Sequence, residues 1–378
     1  MTVPTAVLAW GWRTPLGDDL DAVVARLLAG ERAAIANPVA TSRARTLAPL
    51  PHGAPRTRHD RYLRRMGAVG LDVATAVARA AGLAPDLRTG LFAAVGGLRA
   101  HWDDLLPAFA RQDDDGRDAW ARGLREIHPF WMLRHLSNNA HALLAADLGA
   151  RGDGATFGGA NAGAQAIQSA AWALAAGAID TAIVVGYDAL LEPELLVELS
   201  ERGDVTAAAP TAVIAPYCDR AAGFIPGEAA AALVLVRPDV PRARDRRALL
   251  SAFAGVGPID HALAALPSAP IVDGLARARP DLDAAERATL AAAGVTHLTA
   301  TTAALGHAGA ATALVQAIAL GTCLARGVLP PVAGAVDVSP GPLAIVTAAT
   351  TTTARDALTL SAGAPDLIAA VRVAVVGS

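Results

Sequence analysis

The stretch "GGANAGAQAIQSAAWALAAG", from Gly158 to Gly177, decides the fold class of this chain. It predicts the end of a strand, a glycine turn and then an apolar helix, which is a layout that can present a nucleophile at a helix N-terminus. Yet the stretch contains no Cys, and no Ser before Ser169. The local sequence therefore predicts the strand-to-helix turn on which a nucleophile would lie, but no nucleophilic residue in that turn.

A second stretch, "HAGAATALVQAIALGTCLARG" at residues 307–327, repeats this pattern later in the chain. Both stretches contain Ala-Gly-Ala, at 162–164 and 308–310, and both end in Leu-Ala-x-Gly. Strand-like runs alternate with helical runs throughout, so we predict a layered α/β fold of two related halves with buried helices between sheets. The predicted halves are residues 1–236 and 237–378.

The composition excludes several classes of function. The 378 residues carry a formal net charge of -3 and no basic run, so neither a nucleic-acid footprint nor an anionic-membrane patch is indicated. All 32 basic residues are Arg, which excludes a Schiff-base or P-loop lysine. Cys218 and Cys323 have no further ligands at local spacing, so no metal site and no disulfide framework are expected.

The sequence leads us to expect neither export nor membrane insertion. Its start, "MTVPTAVLAWGW", does not have the pattern of a signal peptide, and a cytoplasmic location is expected. Two long stretches without charged residues, 154–179 and 288–325, are interrupted by polar residues such as Asn161 and His307 and by glycines. They predict buried αβ core and not membrane spans.

Four motifs, in order along nearly the whole chain, resemble the β-ketoacyl synthase branch of the thiolase fold. They are "GWRTPLG" near the start, "LGARGDGATFGGANAGAQAI" at the predicted turn, "GFIPGEAAAALVLV" before the link between the halves, and "LGHAGAATAL" in the second half. The resemblance implies a thiolase-like fold of two related αβαβα halves in five layers. It also implies an acyl-transfer site, against which each position can be compared.

In that family a Cys at the strand-to-helix turn takes an acyl chain as a thioester, and two histidines assist decarboxylation and stabilise the enolate and oxyanion. Counting forward from Arg151 places Asn161 at the Cys position, whereas counting back from Gly177 places Ala160 there. We favour Asn161, since a deletion in the helix start is easier to accommodate than one in the strand. Neither residue is a nucleophile.

The remaining catalytic positions are also altered. The first family histidine precedes an Asp, and placing that Asp on Asp273 puts Ala265 at the histidine position, with His261 close enough to substitute if the loop is shifted. The second histidine is His307, although Thr302 stands where the family has a lysine five residues earlier. The C-terminal loop that lends an N–H to the oxyanion hole is reduced to "SAGAPD", whose Pro365 has no N–H to donate.

The resemblance therefore implies a chain-length factor, the ketosynthase-like subunit without the Cys that pairs with an active ketosynthase and shapes the acyl pocket. Polyketide, aryl polyene or fatty-acid-type biosynthesis would be its setting. The implied partners are that ketosynthase, in a heterodimer, and an acyl carrier protein that supplies phosphopantetheine, with no cofactor bound by the chain itself. Two alternatives remain open: a malonyl-carrier-protein decarboxylase or acyltransferase that uses Asn161 and His307, and a homodimeric scaffold that binds carrier proteins.

One segment is a candidate for contact with the acyl chain. In the related synthases the segment ahead of the Asn-rich helix start approaches the dimer interface and the partner's acyl pocket, and here it carries Phe130, Trp131 and Met132. Bulky side chains at that position could limit chain length by filling volume. Ordinary packing is the alternative, since aromatic residues and Met are enriched in interfaces and cores alike.

Overall fold

A computed structural model describes residues 2–38, 42–84, 86–96, 102–110, 123–362 and 367–376. Within these ranges the strands are β1 Thr5–Arg13, β2 Ile35–Ala36, β3 Thr46–Leu47, β4 Thr89–Val95, β5 Gly154–Gly158, β6 Thr181–Ala189, β7 Glu228–Val236, β8 Ala248–Val256, β9 Ile271–Asp273, β10 His297–Thr299, β11 Val328–Leu329, β12 Ala344–Ile345, β13 Thr350–Thr351, β14 Asp356–Ala362 and β15 Leu367–Val375.

The α-helices in the same ranges are α1 Leu20–Leu28, α2 Arg65–Ala80, α3 Trp102–Ala110, α4 Trp131–His135, α5 Asn139–Leu148, α6 Ala162–Ala175, α7 Pro193–Glu201, α8 Ile259–Ala264, α9 Pro280–Ala292, α10 Thr302–Leu305 and α11 Thr312–Ala325. None of these helices, nor any other helical segment among the described residues, is both long and apolar enough to cross a membrane.

Among the described residues, eleven strands form one continuous sheet in the order β12-β10-β9-β14-β15-β8-β1-β7-β6-β4-β5. On the N-terminal side β1 and β6 pair antiparallel with β7, and β4 pairs parallel with β6 and β5. On the C-terminal side β8 and β14 pair antiparallel with β15, and β9 pairs parallel with β14 and β10. The two sets of strands thus share one order and one set of directions, as expected for related halves.

The two helices predicted from the repeated sequence lie between the two sets of strands. Helix α6 packs against β4, β5 and β6 of the first half and against β8 of the second, while α11 packs against β14, β15 and β7. Both have buried faces built mainly from Ala, Leu and Ile, and α11 is buried along almost its whole length. The predicted layered α/β architecture is confirmed, with the two buried helices lying between the strands of the first half and those of the second.

Small residues allow these two helices to approach closely. A Cβ added at Gly163 of α6 would lie 2.8 Å from the main-chain oxygen of Ala310, two residues before α11 begins. Side chains larger than glycine do not fit at this contact without displacing the neighbouring backbone. The close approach brings the start of α6 next to the turn that contains His307.

Outer helices cover the other faces of the sheet. Helix α2 packs against β1, β6 and β7, with α5 against α2, and α8 packs against β8 and β15. The predicted division after residue 236 falls where β7 ends, and β8 begins at Ala248. That the halves are separate domains remains a prediction.

Candidate functional site

The strand-to-helix turn that the sequence predicts is present at the start of α6. Strand β5 ends at Gly158, and Gly159 turns the chain with a φ of 99°, a conformation that favours glycine. Asn161 follows as the N-cap of α6 and is only 4% exposed, whereas Ala160 is half-buried. Both residues left open by the sequence therefore lie in the turn at the positive end of the helix, where an anion would be stabilised.

Asn161 cannot use this position as a cysteine would. Its amide donates and accepts hydrogen bonds but does not attack a carbonyl carbon. Among the described residues its side chain makes no capping hydrogen bond to α6. The two cysteines of the chain, Cys218 and Cys323, are buried elsewhere, and burial raises the pKa of both thiols, so neither supplies a thiolate.

His307 is held in place by main-chain and ring contacts. Its N–H donates to the Ile225 oxygen at 2.9 Å, and its own oxygen accepts from the Gly227 N–H at 2.8 Å. The imidazole lies 4.3 Å from the ring centroid of Phe224. Its Nε2 is 3.1 Å from the main-chain oxygen of Ala276, so Nε2 must carry the hydrogen and donate it to that carbonyl.

Burial lowers the pKa of His307 to about 4, so the ring is neutral at physiological pH. A neutral ring has one N–H, and here that N–H is already donated to a main-chain oxygen. The Nε2 of His307, which the sequence predicts as the second catalytic histidine, therefore donates to the protein's own main chain and not to a substrate.

The Ala276 oxygen belongs to a short segment, residues 274–279, that follows β9 and covers His307. Ala276 and Ala278 have φ angles of 50° and 53°, the left-handed region that non-glycine residues rarely adopt. Two hydrogen bonds to buried side chains stabilise this conformation. Leu275 N donates to Glu286 Oε1 at 2.8 Å, and Ala276 N donates to the Tyr217 hydroxyl at 3.1 Å. The segment is thus fixed in a strained form that fills the space beside His307.

Two carboxyl groups of α9 support the segment. Asp283 accepts from Tyr217 N at 2.9 Å, and the Tyr217 hydroxyl donates to Glu286 at 3.4 Å. Burial raises the pKa of Glu286 to about 8 and that of Asp283 to about 6. Since the two residues are three apart on one helix, they face the same side and act on the segment together.

The space that remains beside His307 is small. Its walls include Phe224, Ala276, Thr302 and His307, and we call it the histidine cavity. The cavity has a volume of about 20 Å³, about enough for one water molecule. A thioester or a pantetheine arm does not fit there without movement of the segment that covers His307.

The structure does not bring Ala265 to His307. Ala265 follows α8 and precedes β9, and its oxygen accepts from Thr2 Oγ1 at 3.3 Å, whereas the segment beside His307 follows β9. Asp273, from which the sequence alignment was counted, is the last residue of β9 and accepts hydrogen bonds from Thr301. Ala265 lies eight residues before Asp273. The residue eight positions before Asp283 is Leu275, which lies in the segment that covers His307.

His261, the alternative for the first histidine, is an exposed residue of α8 next to Gly257. It therefore precedes β9 in the chain, whereas the segment that covers His307 follows that strand. The C-terminal loop is only partly visible: Ser361 and Ala362 end β14, and Pro365 lies outside the described residues. Its role in the oxyanion hole stays a prediction.

The aromatic segment forms the start of α4. Phe130 packs edge-to-face on Tyr62 at 5.0 Å, the Trp131 ring lies 4.6 Å from the His135 ring, and the Met132 side chain is 66% exposed. A larger cavity lies next to this helix and is lined by Arg134, His135 and Leu136, but Phe130, Trp131 and Met132 are not among the described residues that line it.

Sequence reasoning missed this larger cavity, which has a volume of about 340 Å³. We call it the arginine cavity, because Arg64 and Arg65 at the start of α2 and Arg134 of α4 line it together with the ends of β4 and β6. Arg65 forms an ion pair with Glu228, which is 2% exposed and also accepts from Leu50 N at 2.9 Å. The glutamate in "PGEA" was the one signal in the sequence, since an isolated buried carboxylate requires a partner.

Comparison with known proteins agrees with this architecture. The family model for the beta-ketoacyl synthase N-terminal domain matches residues 3–239, well over half of the chain. This chain belongs to the beta-ketoacyl synthase family. The family membership and the thiolase-like fold predicted from the four motifs are thereby confirmed, while no curated protein sequence matches the chain.

Solved structures of beta-ketoacyl synthases have the same fold over the whole chain. A beta-ketoacyl synthase from Burkholderia phymatum STM815 is 18% identical with a TM-score of 0.84, and the ishigamide ketosynthase/chain length factor is 19% identical with a TM-score of 0.82. The type II polyketide synthase structure AntDE:AntF, an acyl-carrier protein in complex with its ketosynthase bound to the hexaketide, is 17% identical with a TM-score of 0.79. Each alignment covers 100% of both chains.

Proposed function

We propose that this beta-ketoacyl synthase homologue is a non-condensing subunit of the chain-length-factor type. In this role it pairs with an active ketosynthase and shapes the pocket that receives the growing acyl chain. The observation that carries the proposal is the filled site at His307, where the ring donates to the Ala276 oxygen in a cavity of about 20 Å³. With Asn161 in place of a nucleophile, the fold retains surfaces and cavities but not the condensing chemistry.

The decarboxylase alternative requires a group that stabilises an enolate next to a bound malonyl thioester. His307 is the one histidine beside the histidine cavity in the described part of the chain, and Leu275 stands where the eight-residue spacing from Asp283 would place the other. A leucine cannot donate a hydrogen bond to an enolate oxygen. The geometry therefore favours the non-condensing subunit over a decarboxylase or acyltransferase.

Pairing with another chain is supported by β5 and α4. Strand β5 lies at one end of the sheet, so within the described chain one of its edges is left for strand pairing. On α4 and just after it, Met132, Leu133 and Leu136 are exposed apolar side chains. An open strand edge and a group of exposed apolar residues are each suited to contact with a protein partner.

In the proposed complex the growing chain is carried by the phosphopantetheine of an acyl carrier protein. Because the histidine cavity is too small for that arm, the arm enters through the partner ketosynthase and the chain tip reaches this subunit from the shared interface. The chain itself then needs no bound cofactor. The arginine cavity, beside α4, is the space available for the chain tip.

Co-expression tests the pairing. The chain is expressed with candidate Cys-containing ketosynthases, and copurification is measured with and without an affinity tag on the partner. A stable one-to-one complex that makes ketoacyl product is expected. A stable homodimer that ignores every ketosynthase would favour the scaffold, and malonyl decarboxylation by the isolated chain would favour the enzyme.

Substitution of Trp131 tests whether α4 limits the chain. Trp131→Ala should leave the complex assembled and lengthen the average product, since the vacated volume admits more chain. If Trp131 only packs, its loss instead costs roughly 3 to 5 kcal/mol of stability with unchanged product length. Product profiles from matched amounts of intact complex, measured by mass spectrometry, decide between the two.

A further inference from the structure

The covering segment, residues 274–279, is anchored at its two ends by main-chain groups. Gly274 N donates to the Thr299 oxygen of β10 at 2.9 Å. Four residues later the Ala278 oxygen accepts from Gly223 N at 2.7 Å. Main-chain amides do not titrate, so these two anchors do not depend on pH.

The middle of the segment is held by titratable side chains instead. Leu275 N donates to Glu286 Oε1 at 2.8 Å. Ala276 N donates to the Tyr217 hydroxyl, and the Ala276 oxygen accepts from His307 Nε2. Within the described part of the chain, each hydrogen bond of these two main-chain units ends on a titratable group. The middle thus lies between a buried carboxyl on one side and His307 on the other.

Packing around Glu286 leaves no room for water while the segment is in place. The side chain is 2% exposed. A Cβ added at Gly274 would lie 2.6 Å from Glu286 Oε1 and 2.2 Å from the Tyr217 hydroxyl. An ionised Glu286 would therefore be a desolvated charge in this arrangement.

A second buried carboxyl lies beside Glu286. Asp283 is one helical turn earlier on α9, is 1% exposed and raises the pKa of Glu286. Among the described residues its Oδ1 has no hydrogen-bond partner. Two buried carboxylates at this spacing repel each other, so ionisation of both is costly.

The other charged and titratable groups around the two carboxyls do not neutralise them. Arg277, on the segment itself, lowers the pKa of both, but in the described structure no ion pair joins it to either. Arg287 donates to main-chain oxygens of the loop 339–343. Burial and nearby carboxyls, Asp273 among them, raise the pKa of Tyr217 well above its ordinary value, so the phenol stays neutral.

We infer that residues 274–279 are a pH-operated lid, which covers His307 while Glu286 carries its proton and opens when that proton is lost. Opening of the middle admits water to the carboxylate, which the closed form excludes. The same movement withdraws the Ala276 oxygen from His307 Nε2 and relieves the left-handed backbone of the segment. The lid goes beyond the proposed function and does not depend on pairing with a ketosynthase.

The pH range of the opening follows from Glu286. Burial raises its pKa to about 8 from 4.5, so the closed lid is favoured at low pH and loses that advantage as the pH rises toward 8. Asp273 and Asp283, with pKa values of about 6, are largely ionised at pH 7. His307, with its pKa lowered by burial to about 4, is neutral there. If the open form restores the ordinary pKa of Glu286, the open fraction rises about fivefold between about pH 7 and about pH 8.

Chemical modification of His307 measures the opening. Diethyl pyrocarbonate acylates neutral imidazoles that it can reach, and peptide mass spectrometry gives the rate at each histidine. The rate at His307, divided by the rate at exposed His52 in the same sample, should rise about fivefold from about pH 7 to about pH 8. A ratio that does not rise would overturn the inference.

Substitution assigns the rise to Glu286. Glu286→Gln keeps an oxygen that accepts from Leu275 N but does not ionise, so the ratio should stay at its pH 7 value. The exposed Glu198→Gln is the matched control and should retain the rise. An undiminished rise in folded Glu286→Gln would overturn the inference. If this variant does not fold, the wild-type ratio and the thiol measurement below decide.

The buried thiol of Cys323 in α11 separates local opening from unfolding. It is 0% exposed, so iodoacetamide should not label it at about pH 8 while His307 reacts. Labelling of Cys323 in parallel with His307 would show that the whole chain opens, and would overturn a lid.

Discussion

The region around Arg134 and the region around His307 differ in cavity volume and in the partners of their buried carboxyl groups. The arginine cavity is open, at about 340 Å³, and guanidinium groups pair with carboxylates around it, as in the Arg65–Glu228 pair. The histidine cavity is closed to about 20 Å³, and the carboxyl of Glu286 behind it accepts main-chain and tyrosine hydrogen bonds, with a pKa raised by burial to about 8. In this one chain, therefore, the arginine cavity is charged and accessible, whereas the histidine cavity is filled by the chain's own backbone.

The largest expected effect tests the Arg65–Glu228 ion pair at the arginine cavity. Glu228→Ala leaves Arg65 and Leu50 N without their buried acceptor, and we expect the free energy of unfolding to fall by about 3 to 5 kcal/mol. Urea denaturation measures the loss, with the exposed Glu198→Ala as a control that should change stability by less than about 0.5 kcal/mol. Equal effects of the two substitutions would show that Glu228 is not a structural anchor of the arginine cavity.

The next prediction concerns Glu286, behind the histidine cavity, and is tested by measuring stability as a function of pH. Burial raises the pKa of Glu286 from 4.5 to about 8, so the folded chain holds this proton where the unfolded chain has lost it. Stability contributed by this group is complete below about pH 4.5 and is lost as the pH rises toward 8. Glu286→Gln should therefore flatten the fall in stability between these pH values by up to about 1.4 kcal/mol per pH unit.

The control for this profile is Glu198→Gln, whose exposed side chain should leave the slope unchanged. Asp273 and Asp283, each with a pKa raised by burial to about 6, retain their own contribution in both proteins. His307 acts in the opposite direction: its pKa of about 4 means that its contribution is complete above the ordinary value of 6.5 and is lost on acidification. Parallel profiles of wild type and Glu286→Gln would contradict the assignment.

A smaller effect tests the strain in the segment that fills the histidine cavity. Ala278 has a φ of 53°, so Ala278→Gly should raise the free energy of unfolding by about 0.5 to 1 kcal/mol. The same change at Ala265, whose φ is -78°, should lower it by about 0.5 to 1 kcal/mol. Thermal and urea unfolding of both variants measure the difference, and a loss of stability in both would contradict a left-handed Ala278.

The smallest expected effect is none at all. Asn161→Cys restores a thiol at the start of α6 but leaves the Ala276 oxygen on His307 and Leu275 in the covering segment, so we expect no acyl-enzyme and no ketoacyl product. Intact-protein mass spectrometry after incubation with acyl carrier protein is the measurement. An acyl group mapped to residue 161 would show that the covering segment opens.

The sequence alone predicted the layered α/β fold and the repeated helices, and it singled out Asn161 in the glycine turn and His307 after Leu-Gly. These features are local: a glycine turn before an apolar helix, a repeated Ala-Gly-Ala and a histidine after Leu-Gly are each readable within about a dozen residues. The repeat corresponds to α6 and α11, whose small residues permit the close contact at Gly163. Local sequence was sufficient where local packing fixes the structure.

The tertiary structure decided what the sequence left ambiguous or hid. The sequence analysis placed the family Asp on Asp273 and so put Ala265 at the histidine position, but in the structure the segment that follows β9, which contains Leu275, meets His307. The arginine cavity unites Arg64 of the α2 start with Arg134 of α4, seventy residues later in the chain. Such proximity depends on how the sheet and helices pack, because a charge's partner and its burial are set by neighbours in space and not by neighbours in sequence.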